Sequence, residues 1–245
     1  MPVTPGLNLD PPARSLAIGA HPDDIEFGCG ATLAKWAAAG CEIHHLVCTD
    51  GSKGSWDPAQ DRAQLVAERR EEQRAAAAVL GGKADVVFLD WPDGELEAGL
   101  RQRWEVAYWI RKIRPDVVLG HDPWRRYRLH PDHRAAGFLA TDGIVAARDP
   151  HFFPEHGDPP HRPRALLLFE ADEPDHVEDV EGFADAKVNA LLAHQSQWRS
   201  TMGIDDPGSE RQLAAFRERV VDELHRQGEP AGVGLGEAFK AITEL

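Results

Sequence analysis

The sequence predicts an α/β protein with a Rossmann-like, doubly wound, mostly parallel sheet and helices on both faces. Three observations carry this expectation. Short apolar runs alternate with stretches of helical composition along most of the chain. The runs are unbroken rather than alternating in polarity, which suits strands buried on both faces, as in a parallel sheet. The 245 residues, 42% hydrophobic and 28% charged, supply one substantial core, so a single domain over residues 1–245 is expected.

Ser15-Leu16-Ala17-Ile18-Gly19 reads as the first strand, and Ala31 to Ala39 as the helix that follows it. A second strand falls on His45-Leu46-Val47-Cys48. The Ala/Glu/Arg-rich stretch from Asp61 to Leu80, stopped by Gly81-Gly82, has the composition and end signal of a long helix. Asp85-Val86-Val87-Phe88-Leu89 is a third strand, and Leu100 to Ile113 a helix ended before Pro115. Asp116-Val117-Val118-Leu119 and Ala165-Leu166-Leu167-Leu168-Phe169 complete the strands. The stretch from Asp149 to Arg164 has five prolines and no periodicity, so it reads as a surface loop or lid with His151, His156 and His161 in solvent. Ala184 to Trp198 and Ser209 to Gln227 again look helical. Such strand–helix units imply right-handed crossovers, with ligands beyond the carboxyl ends of the strands.

Charge narrows the function. Lys+Arg number 27 against 41 Asp+Glu, a net charge of −14, which repels nucleic-acid backbones and anionic lipid. The partner expected is a small molecule. The N-terminal residues lack a signal-peptide pattern and no run is long enough to cross a bilayer. Three cysteines, Cys29, Cys41 and Cys48, are too few and odd in number for a disulfide framework. A reducing, cytoplasmic location is expected.

Two tetrads concentrate the chemistry: His21-Pro22-Asp23-Asp24 and His130-Pro131-Asp132-His133, each expected at a strand exit. In the first, proline fixes the backbone and a turn lets residues three apart converge while the intervening carboxylate points elsewhere. A catalytic zinc takes three nitrogen or oxygen ligands and keeps one position open, and His21, Asp24 and one of His130 or His133 meet that need. Spacing alone leaves open which aspartate and which second-tetrad histidine would bind.

These motifs resemble the family of N-acetylglucosaminyl deacetylases known as PIG-L or LmbE-like proteins, which includes the deacetylases of mycothiol and bacillithiol biosynthesis. The resemblance runs through Ala20 to Asp24, Gly28-Cys29-Gly30-Ala31, Thr49 to Ser55, and Arg69, Glu72, Ala76 and Leu80-Gly81 on one helix. It continues through Leu89 to Gly94, His121-Asp122-Pro123, the second tetrad and His194-Gln195-Ser196-Gln197. It implies a zinc-dependent hydrolase, with iron(II) as the alternative metal, that removes an acyl group from an N-acetylated amino sugar or related amide. It also implies roles: His21, Asp24 and His133 as metal ligands, Asp23 as general base, His130 as the polarising imidazole, and Asp132 as the group that orients or charge-stabilises His130. Arg69 and Asp93 match positions that contact the sugar, and His194 and Gln197 would line the wall. The chain departs from its relatives at Ser52, where an acid is common and Asp50 is the neighbouring one, and at Arg128, which stands where relatives that handle mycothiol precursors tend to have a tyrosine, with Tyr127 beside it.

Two other functions compete. Gly28-x-Gly30 opening a helix suggests a dinucleotide-binding oxidoreductase, but the glycines do not follow the strand directly and Leu33 stands where a third is needed. A non-catalytic sugar-binding protein is the other, and intact Asp23 and His130 argue against it.

Overall fold

The computed structural model describes residues 5–82 and 86–245. Asp85, the start of the third expected strand, lies outside them. The strands are β1 (Gly6–Leu7), β2 (Arg14–Gly19), β3 (Glu42–Thr49), β4 (Val87–Trp91), β5 (Val117–His121), β6 (Ala165–Phe169), β7 (His176–Asp179) and β8 (Gly236–Ile242). The helices are α1 (Asp24–Ala38), α2 (Arg62–Val79), α3 (Leu100–Ile113), α4 (Pro131–Arg148), α5 (Ala184–Leu192) and α6 (Glu210–Gly228). One sheet runs in the order β1-β7-β8-β6-β5-β2-β3-β4, parallel except where β8 pairs antiparallel with β6 and β7. From β2 the chain winds outward through β3 and β4, then returns to the other side of β2 with β5. The gap between the carboxyl ends of β2 and β5 is therefore the topological switch point, where a doubly wound sheet holds its ligands.

Both faces of the sheet are covered. Leu16, Ile18, Val118, Leu166 and Leu168 pack with α3 and α4, while Ala17, Val47, Leu119, Leu167 and Phe169 face α1. This alternation inside unbroken apolar runs is what a sheet buried on both sides demands.

The five expected strands are present, and β1, β7, β8 and α4 are additional. Glu237 and Lys240 interrupt β8, so its apolar residues never form a run. Helix α4 packs against α3, β5 and β2, and its buried face is mostly alanine and glycine, with Leu139 and Ile144, rather than a continuous Leu/Ile stripe. The helix expected to reach Trp198 ends at Leu192 and gives way to 3-10 and π turns.

The proline-rich loop is not a lid. Arg111, near the end of α3, donates to the carbonyls of Ala146, Ala147, Asp149, Phe152 and Phe153 and pins it at the amino ends of the strands, away from the switch point. His156 packs edge-on to Trp104, and His161 bonds the Pro115 carbonyl at 2.7 Å, so these two are not merely solvated. No helix among the described residues is long and apolar enough to cross a membrane.

Candidate metal centre at the sheet switch point

The first tetrad leaves β2 and enters α1 in one turn. His21 N–H donates to Asp24 Oδ2 at 2.7 Å, and Asp24 N–H to the His21 carbonyl at 3.3 Å, so residues 21 and 24 face one another as the spacing predicts. Asp23 adopts φ 103°, ψ −25° just before α1. A positive φ is uncommon for a residue with a Cβ and costs about 1–3 kcal/mol unless its surroundings enforce it. It turns the Asp23 side chain away from Asp24, separating the two carboxylates.

The second tetrad does not follow a strand directly. A loop intervenes after β5, and the tetrad forms the N-terminus of α4, with His130 preceding the helix and Pro131 in its first turn, where a missing N–H is harmless. The residue at the strand exit is His121. It was the missed member of the site: it is buried, and its Nε2 lies 3.2 Å from Asp24 Oδ2. Its sequence signals are a histidine ending an apolar run and the family-like motif His121-Asp122-Pro123, neither of which by itself assigns it a role.

The predicted ligands converge. Asp24 lies between them, with Oδ2 3.4 Å from His21 Nδ1 and Oδ1 3.3 Å from His133 Nε2. Ligand atoms of His21, His130 and His133 come within 4.8 Å of one another, as do those of Asp24, His121 and His133, and those of His21, Asp93 and Asp132. Three imidazoles this close set lone pairs or protons against each other unless a cation is shared. The nitrogen and carboxylate donors fit zinc or iron(II).

Asp132 bonds His21 rather than His130, so it orients the His21 ring and acts on His130 only through its charge. Its Oδ2 is 3.0 Å from His21 Nε2 and also accepts the Gly94 N–H, while Oδ1 accepts that of Leu96. The cause is local: Asp132 sits in the first turn of α4 and is fully buried against the β4–α3 loop, whereas His130 is exposed at the cavity mouth.

Arg69 and Asp93 both line the cavity, but the protein engages both Asp93 oxygens and both terminal guanidinium nitrogens of Arg69, leaving only Arg69 Nε without a partner. Arg69 is buried, and its guanidinium donates to the carbonyls of Gly51 (2.9 Å) and Pro22 (2.6 Å) and reaches Asp23 Oδ2 at 3.4 Å. Gly51 has φ +65°, and a Cβ there would stand 2.7 Å from Arg69 Nη1, so this turn requires glycine. Asp93 Oδ1 is 3.2 Å from His21 Nε2, and Oδ2 accepts the Lys53 N–H. Asp50 Oδ1 accepts the N–H groups of Ser52 and Asp93, tying together the loops after β3 and β4. Arg128 lies 2.9 Å from His133 Nδ1 and 2.7 Å from Glu170 Oε2, while Tyr127 is exposed. Gln197 lines the cavity, but His194 is fully buried behind Asp23, 3.3 Å from Glu26. His45 joins that cluster at 3.3 Å from Gln73, and His44, next to it on β3, faces the other side of the sheet beside Glu42.

The electrostatics separate the two aspartates. Burial pushes Asp23 up to about 6, against the opposing pull of Arg69. Burial would push Asp24 up too, but His133 and His121 outweigh it and hold it well below the usual carboxylate range. Burial opposes charge on His21, yet Asp132, Asp24 and Asp93 raise it well above the usual histidine value. Asp93 is desolvated but is held at about 2, chiefly by His21. The cavity bounded by His21, Asp23, Asp24, Asp93, His130 and His133 has a volume of about 500 Å³.

The two glycines that suggested a dinucleotide site lie inside α1, not ahead of it. A Cβ at Gly28 would come within 2.5 Å of the Phe169 ring, so this glycine serves close packing of α1 on β6.

Fold and site together define the class: a cluster of metal-type ligands at the switch point of a doubly wound sheet, the arrangement of a metal-dependent hydrolase. Residues 16–144 match the family described as PIG-L, GlcNAc-PI de-N-acetylase, and the chain belongs to it. A relative named diacetylchitobiose deacetylase, from Thermococcus kodakarensis, is 36% identical over 188 residues, covering 76% of this chain and 70% of that one. The 1D-myo-inositol 2-acetamido-2-deoxy-α-D-glucopyranoside deacetylase of Streptomyces avermitilis is 32% identical, over 61% of this chain and 58% of its own. Among solved structures, N,N'-diacetylchitobiose deacetylase from Pyrococcus horikoshii, complexed with an inhibitor, superposes with a TM-score of 0.84 at 28% identity, covering 95% of this chain and 84% of that one.

Proposed function

We propose that this chain is a single-domain, zinc- or iron(II)-dependent deacetylase that hydrolyses the acetamide of an N-acetylated amino sugar, releasing acetate and a free amine. The observation that carries the reading is the opposition of Asp23 and Asp24: adjacent carboxylates, one held ionised among histidines and the other raised to about 6 by burial in the same cavity. A ligand must stay charged, whereas a general base works best with a pKa near the operating pH. The relatives named above act on N-acetylglucosamine derivatives, which supports the substrate class.

His21, Asp24 and His133 would hold the ion, with His121 behind Asp24 keeping it ionised and Asp132 fixing the His21 ring through Nε2, an orienting contact typical of metal-bound histidine. The ion would supply Lewis acidity toward the acetamide oxygen and toward an attacking water, whose pKa it lowers to about 7. Asp23 takes the proton of that water and passes it to the departing amine. His130, at the cavity mouth and with its pKa lowered by partial desolvation and by His21 and His133, offers an imidazole N–H to the carbonyl oxygen as charge builds there. Asp93 and Lys53 form a polar wall suited to sugar hydroxyls. Gly54 lines this cavity and also a neighbouring one of about 360 Å³ that includes Trp56, Ser196 and Arg199, where a substituent on the sugar would extend. The free cysteines Cys29, Cys41 and Cys48 accord with a reducing compartment such as the cytoplasm.

Acetate release from a panel of N-acetylglucosamine glycosides and disaccharides tests this reading. Chelator should abolish turnover, and zinc or iron(II) should restore it. Absence of acetate release across the panel by metal-loaded protein would remove the proposal.

A further inference from the structure

The peptide group joining Pro22 to Asp23 is gripped at both ends by one helix. Arg69 Nη2 donates to the Pro22 carbonyl at 2.6 Å, and Gln73 Oε1 accepts the Asp23 N–H at 3.0 Å. Arg69 and Gln73 stand four residues apart on α2, so both project from one face. The C=O and N–H of a peptide point in opposite directions, so holding both fixes its rotation and with it φ at residue 23.

The orientation of the Gln73 amide is itself fixed. Its Nε2 donates to Glu26 Oε1 at 2.7 Å, so its oxygen must face Asp23; the flipped amide would set N–H against N–H and oxygen against carboxylate. Glu26 is anchored in turn by His194 at 3.3 Å and His45 at 3.6 Å. Gln73, Glu26 and His194 are fully solvent-excluded, so water cannot replace a lost partner.

We propose that Gln73 is a positioning residue for Asp23. By accepting the Asp23 N–H it holds this residue at φ 103°, the backbone state that directs the carboxylate into the cavity and away from Asp24, with Glu26 setting the amide's orientation. The inference rests on Asp23 being the general base. Neither Gln73 nor Glu26 lines the cavity, so their effect reaches the reaction through Asp23.

The test combines Gln73→Leu with the exchanged pair Glu26→Gln/Gln73→Glu, which keeps a donor at 26, an acceptor at 73 and the same net charge. For Gln73→Leu, kcat should fall by about 100-fold, the scale of a small misplacement of a catalytic group, with KM changed less than about twofold and metal content equal to wild type. Its crystal structure should show φ at residue 23 relaxed to a negative value. The exchanged pair should recover at least about tenfold of the lost kcat. A wild-type kcat for Gln73→Leu, a loss confined to KM, metal loss, or a persisting positive φ would each overturn the proposal. If Gln73→Leu does not fold, the exchanged pair decides alone: kcat within about tenfold of wild type with φ still positive supports the clamp, and any other result overturns it. If wild type releases no acetate from the panel, the deacetylase reading fails, and φ at residue 23 in Gln73→Leu still decides the clamp.

Discussion

The charges buried around Glu237 and those buried around Asp24 meet α1 at different points along its length, and they differ in how their partners are satisfied. Helix α1 is broken at Cys29 (φ −152°), which releases the N–H groups of Ala31 and Thr32 and the carbonyl of Phe27 from the helical pattern. Glu237 on β8 accepts both N–H groups, at 3.0 and 2.7 Å, while Lys187 on α5 donates to Phe27 O and to Glu237, each at 2.6 Å. One anion, one cation and the freed backbone groups complete each other, and these atoms need nothing further. Around Asp24, by contrast, three histidines crowd their ring nitrogens together beside an open cavity. Buried charge alone therefore does not mark a functional site; convergence of donors that cannot satisfy one another does.

The sharpest break of this contrast is Asp23→Asn. Loss of a general base should lower kcat by about 10²–10⁴-fold, measured by acetate release, with metal content unchanged by elemental analysis. Because burial disfavours the Asp23 anion, a neutral amide there should leave thermal stability equal or higher. Loss of metal in this variant would show that the roles of Asp23 and Asp24 are exchanged.

The complementary break is Lys187→Met. It leaves the Glu237 carboxylate buried without its cation, so denaturant unfolding should show a loss of about 3–5 kcal/mol. The kcat of the folded fraction should stay within about twofold of wild type, since Lys187 does not line the cavity. A large fall in kcat with stability unchanged would mean that this cluster, too, serves the reaction.

The two clusters were unequally legible in the sequence. Tetrad spacing set His21 against Asp24 because a turn after a strand has few conformations, and unbroken apolar runs announced β2, β3, β5 and β6 because a parallel sheet is buried on both faces. What tertiary approach decides left little trace. Asp132 meets His21 because α4 docks against the β4–α3 loop, and His121 meets Asp24 because β5 pairs with β2 rather than β4. Gln73 and Glu237 each carry one polar side chain on an otherwise ordinary element, and only the folded chain shows which backbone groups they complete.

The smallest expected effect probes another self-contained cluster by pH. Glu178, buried on β7, accepts the Leu9 N–H at 2.7 Å, pairs with Lys35 at 2.8 Å and lies 2.7 Å from His176. Burial would raise its pKa, but His176, Lys35 and the Leu9 N–H outweigh this and hold it below the ordinary glutamate range. A carboxyl depressed in the folded state contributes stability above its unfolded pKa, about 4.3, and loses that contribution as pH falls through the folded value. Glu178→Gln should therefore destabilise the protein by about 1.5–3 kcal/mol at pH 7, the worth of hydrogen bonds to a charged group. The gap from wild type should narrow steadily in unfolding curves taken below about pH 4.3. A gap that stays constant down to the acid limit would mean that Glu178 acts through packing rather than charge. A gap in kcat at neutral pH would join this edge of the sheet to the site and dissolve the distinction between the two kinds of cluster.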